Sequence, residues 1–161
     1  MITGIPGTGK TTYGELFASR FGFVHHDLEN LETLNRLFSD PSKYIDNTLN
    51  EGEQIVLTWG FLPQEQMGIV KQFQAKGFTL VWFDGNRPAA LRVFNRRGTV
   101  PEYLFHMQIG RIDNSRVVQD LKPLVIDPFD DNEEFKDATL ILEEIRKGSA
   151  PTEKSDGRLV G

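Results

Sequence analysis

Short apolar runs alternate with longer stretches whose apolar positions recur at helical spacing, from the first residue to about Lys147. Five runs read as strands: Met1–Thr3, Phe23–His25, Gln54–Trp59, Phe78–Asp84 and Leu124–Asp127. The runs "IVLTW" and "TLVWF" show little polar alternation, which predicts strands covered on both faces. Between them lie amphipathic segments. Lys10–Phe21 carries Leu16, Phe17 and Phe21 toward one side, and Glu29–Phe38 carries Leu31, Leu34, Leu37 and Phe38. Pro63–Lys76 opens with proline in a first-turn position and stops before Gly77, and Pro88–Arg97 stops at Gly98. A further helical region begins near Pro101, and Phe135, Ala138, Ile141, Leu142 and Ile145 space a final helix. Strands alternating with helices predict parallel pairing through right-handed crossovers, hence a three-layer α/β fold.

Composition narrows this picture. The 161 residues fit one domain over 1–147, followed by a polar tail "GSAPTEKSDGRLVG" from Gly148 to Gly161 that reads as outside the fold. No apolar run approaches the roughly 18 residues of a membrane span. The absence of cysteine excludes disulfides and thiolate metal sites, and with no signal-peptide pattern it fits a cytoplasmic protein. A net charge of −5 argues against general nucleic-acid binding, because phosphate backbones attract basic surfaces.

The strongest chemistry lies at the start. Gly4-Ile5-Pro6-Gly7-Thr8-Gly9-Lys10-Thr11 matches G-x-x-x-x-G-K-[ST] at every fixed position, and Thr12 follows. The glycines permit backbone angles that turn several N–H groups inward as a nest for phosphate oxygens. The following helix adds its positive N-terminal end. Lys10 would reach the β- and γ-phosphates, and the Thr11 hydroxyl would join a Mg²⁺ shell. The pattern points to ATP or a related triphosphate with Mg²⁺. Only Met1, Ile2 and Thr3 precede the first glycine, so the supporting strand is either very short or begins upstream of Met1. A guanine-reading N-K-x-D string is missing from the folded part. The nearest match, Glu153-Lys154-Ser155-Asp156, lacks the asparagine and lies in the tail.

With this loop in a small α/β chain, the sequence resembles the nucleotide- and shikimate-kinase group of P-loop NTPases: adenylate, shikimate and gluconate kinases and relatives. The resemblance implies a five-stranded parallel sheet in order 2-3-1-4-5, with a short arginine-bearing lid between the fourth and fifth strands. It gives Asp27, at the end of "FVHHD", the task of orienting an acceptor hydroxyl or holding Mg²⁺ through water; the residue-level alternative is an N-cap for the next helix. His25 and His26 read as structural neighbours. The third strand ends Thr58-Trp59-Gly60-Phe61, without the acidic residue common in adenylate-kinase relatives. Gly60 would then let the acceptor approach the backbone, and Trp59 and Phe61 are either acceptor wall or core.

The basic segment "GNRPAALRVFNRRGTVPEY" matches the lid. Arg92 and Arg96 share a helix face and Arg97 opens a loop; the resemblance has them close over ATP and stabilise the transferring phosphoryl group, while the plain alternative is a solvated helix end. Beyond it, Arg111, with Arg116 as second choice, resembles the arginine that meets an acidic acceptor or the phosphates. Pro128 and Phe129 match the turn packed beside adenine, with core packing equally open for Phe129. Asp84 also ends an apolar run, one strand too late for the metal-side acid.

The reading that unites these residues is an ATP-dependent phosphotransferase acting on a hydroxyl of a small molecule. Lys10, Asp27, Arg96 and Arg97 are its catalytic candidates; Gly7, Thr8, Gly9, Thr11, Thr12, Arg92, Pro128 and Phe129 are its nucleotide candidates; Gly60, Phe61 and Arg111 face the acceptor. Two other classes stay open: a nucleotide-binding regulatory module without transfer activity, and a polynucleotide-end kinase.

Overall fold

The computed structural model describes residues 1–52 and 54–150. Five strands form one sheet: β1 (Ile2–Gly4), β2 (Val24–Asp27), β3 (Ile55–Thr58), β4 (Val81–Phe83) and β5 (Leu124–Ile126). All pairings are parallel and the order is β2-β3-β1-β4-β5. The expected sheet is therefore present, with β1 central despite its three residues. Backbone bonds on both sides compensate for its length: Trp59 N–H donates to the Ile2 carbonyl, Val81 N–H to Met1 and Ile5 N–H to Phe83.

Successive side chains of a strand point to opposite faces, and this parity builds two cores. Ile2, Val56, Val81, Phe83 and Ile126 face α1 (Lys10–Phe21) and α8 (Ala138–Ser149). Met1, Leu57, Leu80 and Trp82 face the other layer, where α3 (Pro41–Leu49), α4 (Pro63–Ala75) and the short α7 (Val117–Leu121) pack. α2 (Leu31–Ser39) lies against α3, and α5 (Arg87–Arg96) against α6 (Glu102–Asp113) beside a third apolar cluster. The result is a three-layer α/β/α architecture.

Several boundaries differ from the expectation, each for a local reason. α3 was not expected, although Asp40-Pro41 is a strong start signal: the Asp40 carboxylate accepts from Lys43 N–H and Pro41 stands in the first turn. Phe135 does not belong to the last helix. Asp137 caps that helix through Thr139 N–H, and Phe135 instead forms a β-bridge with Phe129. α8 includes Gly148 and Ser149; the expected tail beyond residue 150, with its Glu153–Asp156 string, lies outside the described residues. Among the described residues no helix is long and apolar enough to cross a membrane.

Candidate functional site

The turn from β1 to α1 carries the phosphate-loop residues, and its shape follows from its glycines. Gly7 has φ +77°, and a Cβ there would stand 2.1 Å from the Ala90 carbonyl oxygen, so only glycine lets the loop lie against α5. The Ile5 carbonyl accepts from both Thr8 Oγ1 (2.8 Å) and Lys10 Nζ (2.9 Å), bracing the loop from within. Thr8 is fully buried, Lys10 and Thr11 are half-buried, and Thr12 is exposed. Gly9 is the N-cap of α1 and no side chain caps that helix. Its first-turn N–H groups and positive dipole end are thus left for an anion.

The loop opens on a cavity of about 200 Å³. Gly7, Gly9, Lys10 and Thr11 line one side, and Glu29, Gly60 and Phe61 another. Arg97, at the end of α5, and Gln108 and Arg111, on α6, complete it. Three cations thus converge on one space in a chain of net charge −5. None of them enters an ion pair among the described residues. Burial lowers the Lys10 pKa to about 8; the charges of Glu29 and Asp27 pull it up and that of Arg97 pushes it further down. The ammonium is therefore poised to gain from an arriving polyanion.

Glu29 lines the cavity although no sequence motif marks it. Its Oε1 accepts from Gly60 N–H at 2.9 Å, joining the segment after β2 to the segment after β3. Gly60 serves this contact: a Cβ there would meet Glu29 Oε1 at 2.5 Å and Lys10 Cε at 3.9 Å. Asp27, the last residue of β2, does not line the cavity. Its Oδ1 accepts from Glu29 N–H at 3.0 Å, while the N-cap of α2 is Asn30, which accepts from the amides of Glu32 and Thr33. Asp27 thus positions the backbone of Glu29 and keeps its other oxygen free of protein donors among the described residues. A carboxylate two residues past a strand end was a signal in the sequence, but the bond that aims it crosses from one strand end to the next.

The remaining candidates separate into two places. Arg92, Arg96 and Phe129 line a groove of about 170 Å³ on the other side of α5, together with Glu133 and Phe135. There Arg92 is ion-paired with Glu133, and Phe129 stacks on Phe135 with centroids 4.9 Å apart and planes at 17°. Phe129 is also buried, so core and groove are both true of it. The Pro128 and Lys136 carbonyls accept from Tyr13 Oη at 3.3 and 2.7 Å, which ties this turn to α1. The segment expected to form a lid is short: residues 97–101 join α5 to α6, and the helices are pinned by Phe94 against Phe105.

Other candidates are structural in their contacts. Trp59 is buried beside Phe38 and Phe61, while Phe61 is buried yet borders the cavity. His25 bonds Thr58 Oγ1 at 2.9 Å and His26 bonds Glu51 at 2.7 Å. Arg116 pairs with Asp120 and lies off the cavity, whereas Arg111 lines it. Asp84 is taken up by Arg87, at 3.0 and 3.2 Å.

No protein-family model matches the chain, and no curated protein matches its sequence. Solved structures do. A gluconokinase from Sinorhizobium meliloti 1021 is similar with a TM-score of 0.57 at 16% identity, over 92% of this chain and 89% of that one. A shikimate kinase from Bacteroides thetaiotaomicron is similar with a TM-score of 0.52, also at 16% identity, over 91% and 92%. The fold is that of the small phosphate-loop kinases.

Proposed function

We propose that the protein is an ATP-dependent phosphotransferase that moves the γ-phosphate to a hydroxyl of a small molecule. The observation that carries this reading is the convergence of Lys10, Arg97, Arg111 and Glu29 on one cavity at the mouth of the phosphate loop. Three cations without carboxylate partners among the described residues, and one aimed carboxylate, are what phosphoryl transfer asks of a protein: charge stabilisation and positioning, with little covalent chemistry.

In this reading the loop amides and Lys10 hold the β- and γ-phosphates, and the groove at Phe129 and Arg92 takes the base. The acceptor hydroxyl sits against Glu29. Its oxygen attacks the γ-phosphorus, the bond to the β–γ bridging oxygen breaks, and ADP leaves with that electron pair. The hydroxyl proton passes to the Glu29 carboxylate. Arg97 meets the charge that spreads over the equatorial oxygens, the role that the sequence shared between Arg96 and Arg97. Arg96, on the groove side, is assigned to the nucleotide.

Mg²⁺ fits the donors present. The Thr11 hydroxyl on the cavity wall and the Asp27 carboxylate, off that wall but near enough for its charge to act on Lys10, would be its hard oxygen donors, and magnesium bound with a nucleotide takes its remaining ligands from phosphates and water. Among the described residues no cluster of three acidic or histidine side chains forms a cage, which suits a metal that arrives with its nucleotide. When bound, the ion neutralises charge on the β- and γ-phosphates. The test is ADP release measured across hydroxylated acceptors, with product identified by mass. Turnover that rises with an acceptor and collapses in Lys10→Ala supports the reading; unchanged turnover in that variant refutes it.

A further inference from the structure

Resting on that reading, the two metal donors stand on separate elements, Thr11 on α1 and Asp27 on β2, so their separation is set by how α1 packs on the strand ends. That packing contains a contact built around a glycine. Gly14 lies inside α1 with ordinary helical backbone, a place where glycine is a poorer helix former than alanine. Space explains the choice: a Cβ there would stand within 2.7 Å of His25 Nε2, Cδ2 and Cε1. The imidazole therefore rests directly on the helix backbone. Thr11 precedes Gly14 by one turn on the same side of the helix, and Asp27 follows His25 by two residues on the same side of β2. The ring is fixed in turn. His25 Nε2 bonds Thr58 Oγ1 at 2.9 Å, and Thr58 is buried at the end of β3. Thr58 is in register with Asp27, and its carbonyl accepts from Leu28 N–H at 2.9 Å. Two residues past Asp27, the Glu29 carboxylate reaches Gly60 N–H. Asp27 is thus held between two side-chain ties that run from the β2 segment to the β3 segment, one before it and one after it.

We infer that His25, seated on Gly14 and tied to Thr58, is a positioning residue that sets the separation of Thr11 and Asp27, and that this setting favours Mg²⁺ over Ca²⁺. Mg²⁺ demands near-ideal octahedral geometry at about 2.0–2.1 Å, whereas Ca²⁺ accepts flexible oxygen shells at about 2.3–2.6 Å. A small shift of α1 against β2 therefore weakens the site for the smaller ion and is absorbed by the larger. In sequence His25 reads only as a structural neighbour. The contacts that give it this task join α1, β2 and β3 and exist only in the folded chain.

The experiment is titration of the full chain with a mant-labelled, non-hydrolysable ATP analogue in Mg²⁺, in Ca²⁺ and in EDTA. The readout is the factor by which each ion tightens nucleotide binding. In the unsubstituted chain Mg²⁺ should tighten binding about tenfold more than Ca²⁺ does. Gly14→Ala, which presses on the ring, should cut the Mg²⁺ factor about tenfold and the Ca²⁺ factor less than about twofold, the scale of a lost outer-shell partner. Thr58→Val, which removes the hydroxyl at nearly constant volume, should act in the same direction and serves if Gly14→Ala melts early. His25→Gln, whose amide can still bond Thr58, should keep more of the Mg²⁺ factor than His25→Leu. A ring that only fills space would lower Tm and leave the ratio of the two factors unchanged, which overturns the assignment. Equal response of the unsubstituted chain to both ions, or nucleotide binding indifferent to metal, overturns it as well. The kinase reading fails separately: the ion preference would follow the variants as stated, yet ATP with the hydroxylated acceptors would give no phosphorylated product. A chain that binds no nucleotide overturns both.

Discussion

Arg87 and Arg97 stand at opposite ends of α5, and the two ends have opposite electrostatics. Arg87 is held by Asp84 at 3.0 Å and by both oxygens of Asp113 at 2.9 Å, which joins the end of β4 to the end of α6. These bonds raise its pKa and hold that of Asp113 below the ordinary carboxylate range. Arg97 has no such partner among the described residues and lends its charge to the cavity that holds Lys10. A cation that has found its carboxylates is spent on architecture. One that the fold leaves unpaired beside a phosphate loop is available for a ligand, and residue type alone does not distinguish them.

The largest effect should come from Lys10→Ala, which removes the cradle itself: turnover should fall about a thousandfold, with ATP binding weakened in a fluorescent-nucleotide titration. Arg97→Ala should lower kcat by about a hundredfold or more while ATP affinity changes little. Arg87→Ala should leave kcat within about threefold. Equal kinetic losses in these two arginine variants would break the contrast between the ends of α5. Glu29→Gln should cost about a hundredfold in kcat at saturating acceptor, the span of a lost general base.

Acidity sharpens the comparison further. The Lys10 pKa is lowered to about 8 from 10.5 by burial, so above pH 8 the free protein holds this amine mostly neutral. A bound triphosphate favours the charged form, so binding above pH 8 must take up a proton. Affinity should fall by up to about tenfold per pH unit as pH rises past 8, and calorimetry in buffers of different ionisation enthalpy should register the uptake. The same shift means that the charged ammonium opposes folding below pH 8, an opposition relieved between 8 and 10.5. Arg87→Ala has the smallest expected effect. Its ion pairs are partly exposed and screened, so the loss is about 1 kcal/mol and a few degrees of Tm. Because the Asp113 pKa is lowered, its share is present at neutral pH and is lost as pH falls through the carboxylate range.

Much of this molecule was legible in its sequence because the relevant signals are local. The loop motif, the both-faces-covered strands and the glycine stops of α4 and α5 each sit within a few residues. What escaped were relations between distant segments. Arg96 and Arg97 are neighbours in sequence, but one helical step turns them toward the groove and the cavity respectively. In sequence Asp27 stands out as the carboxylate at the strand end, whereas Glu29 reaches the cavity through a bond to Gly60 that exists only once β2 and β3 are paired. Phe135 continued the apolar spacing of the last helix, yet its stacking on Phe129 draws it out of that helix.

The Tyr13 hydroxyl spans 123 positions of sequence to reach the Lys136 carbonyl. A contact of that separation must wait for the chain between its ends to find its place, so the turn at Phe129 is expected among the last parts to assemble during folding. Phosphate-loop residues are synthesised before the turn at Phe129. The nucleotide should therefore stabilise only a completed chain: in refolding experiments, recovery of ATP binding should lag recovery of helical signal, and a chain ending at Asp127 should keep its loop residues but lose the protection that nucleotide gives against proteolysis.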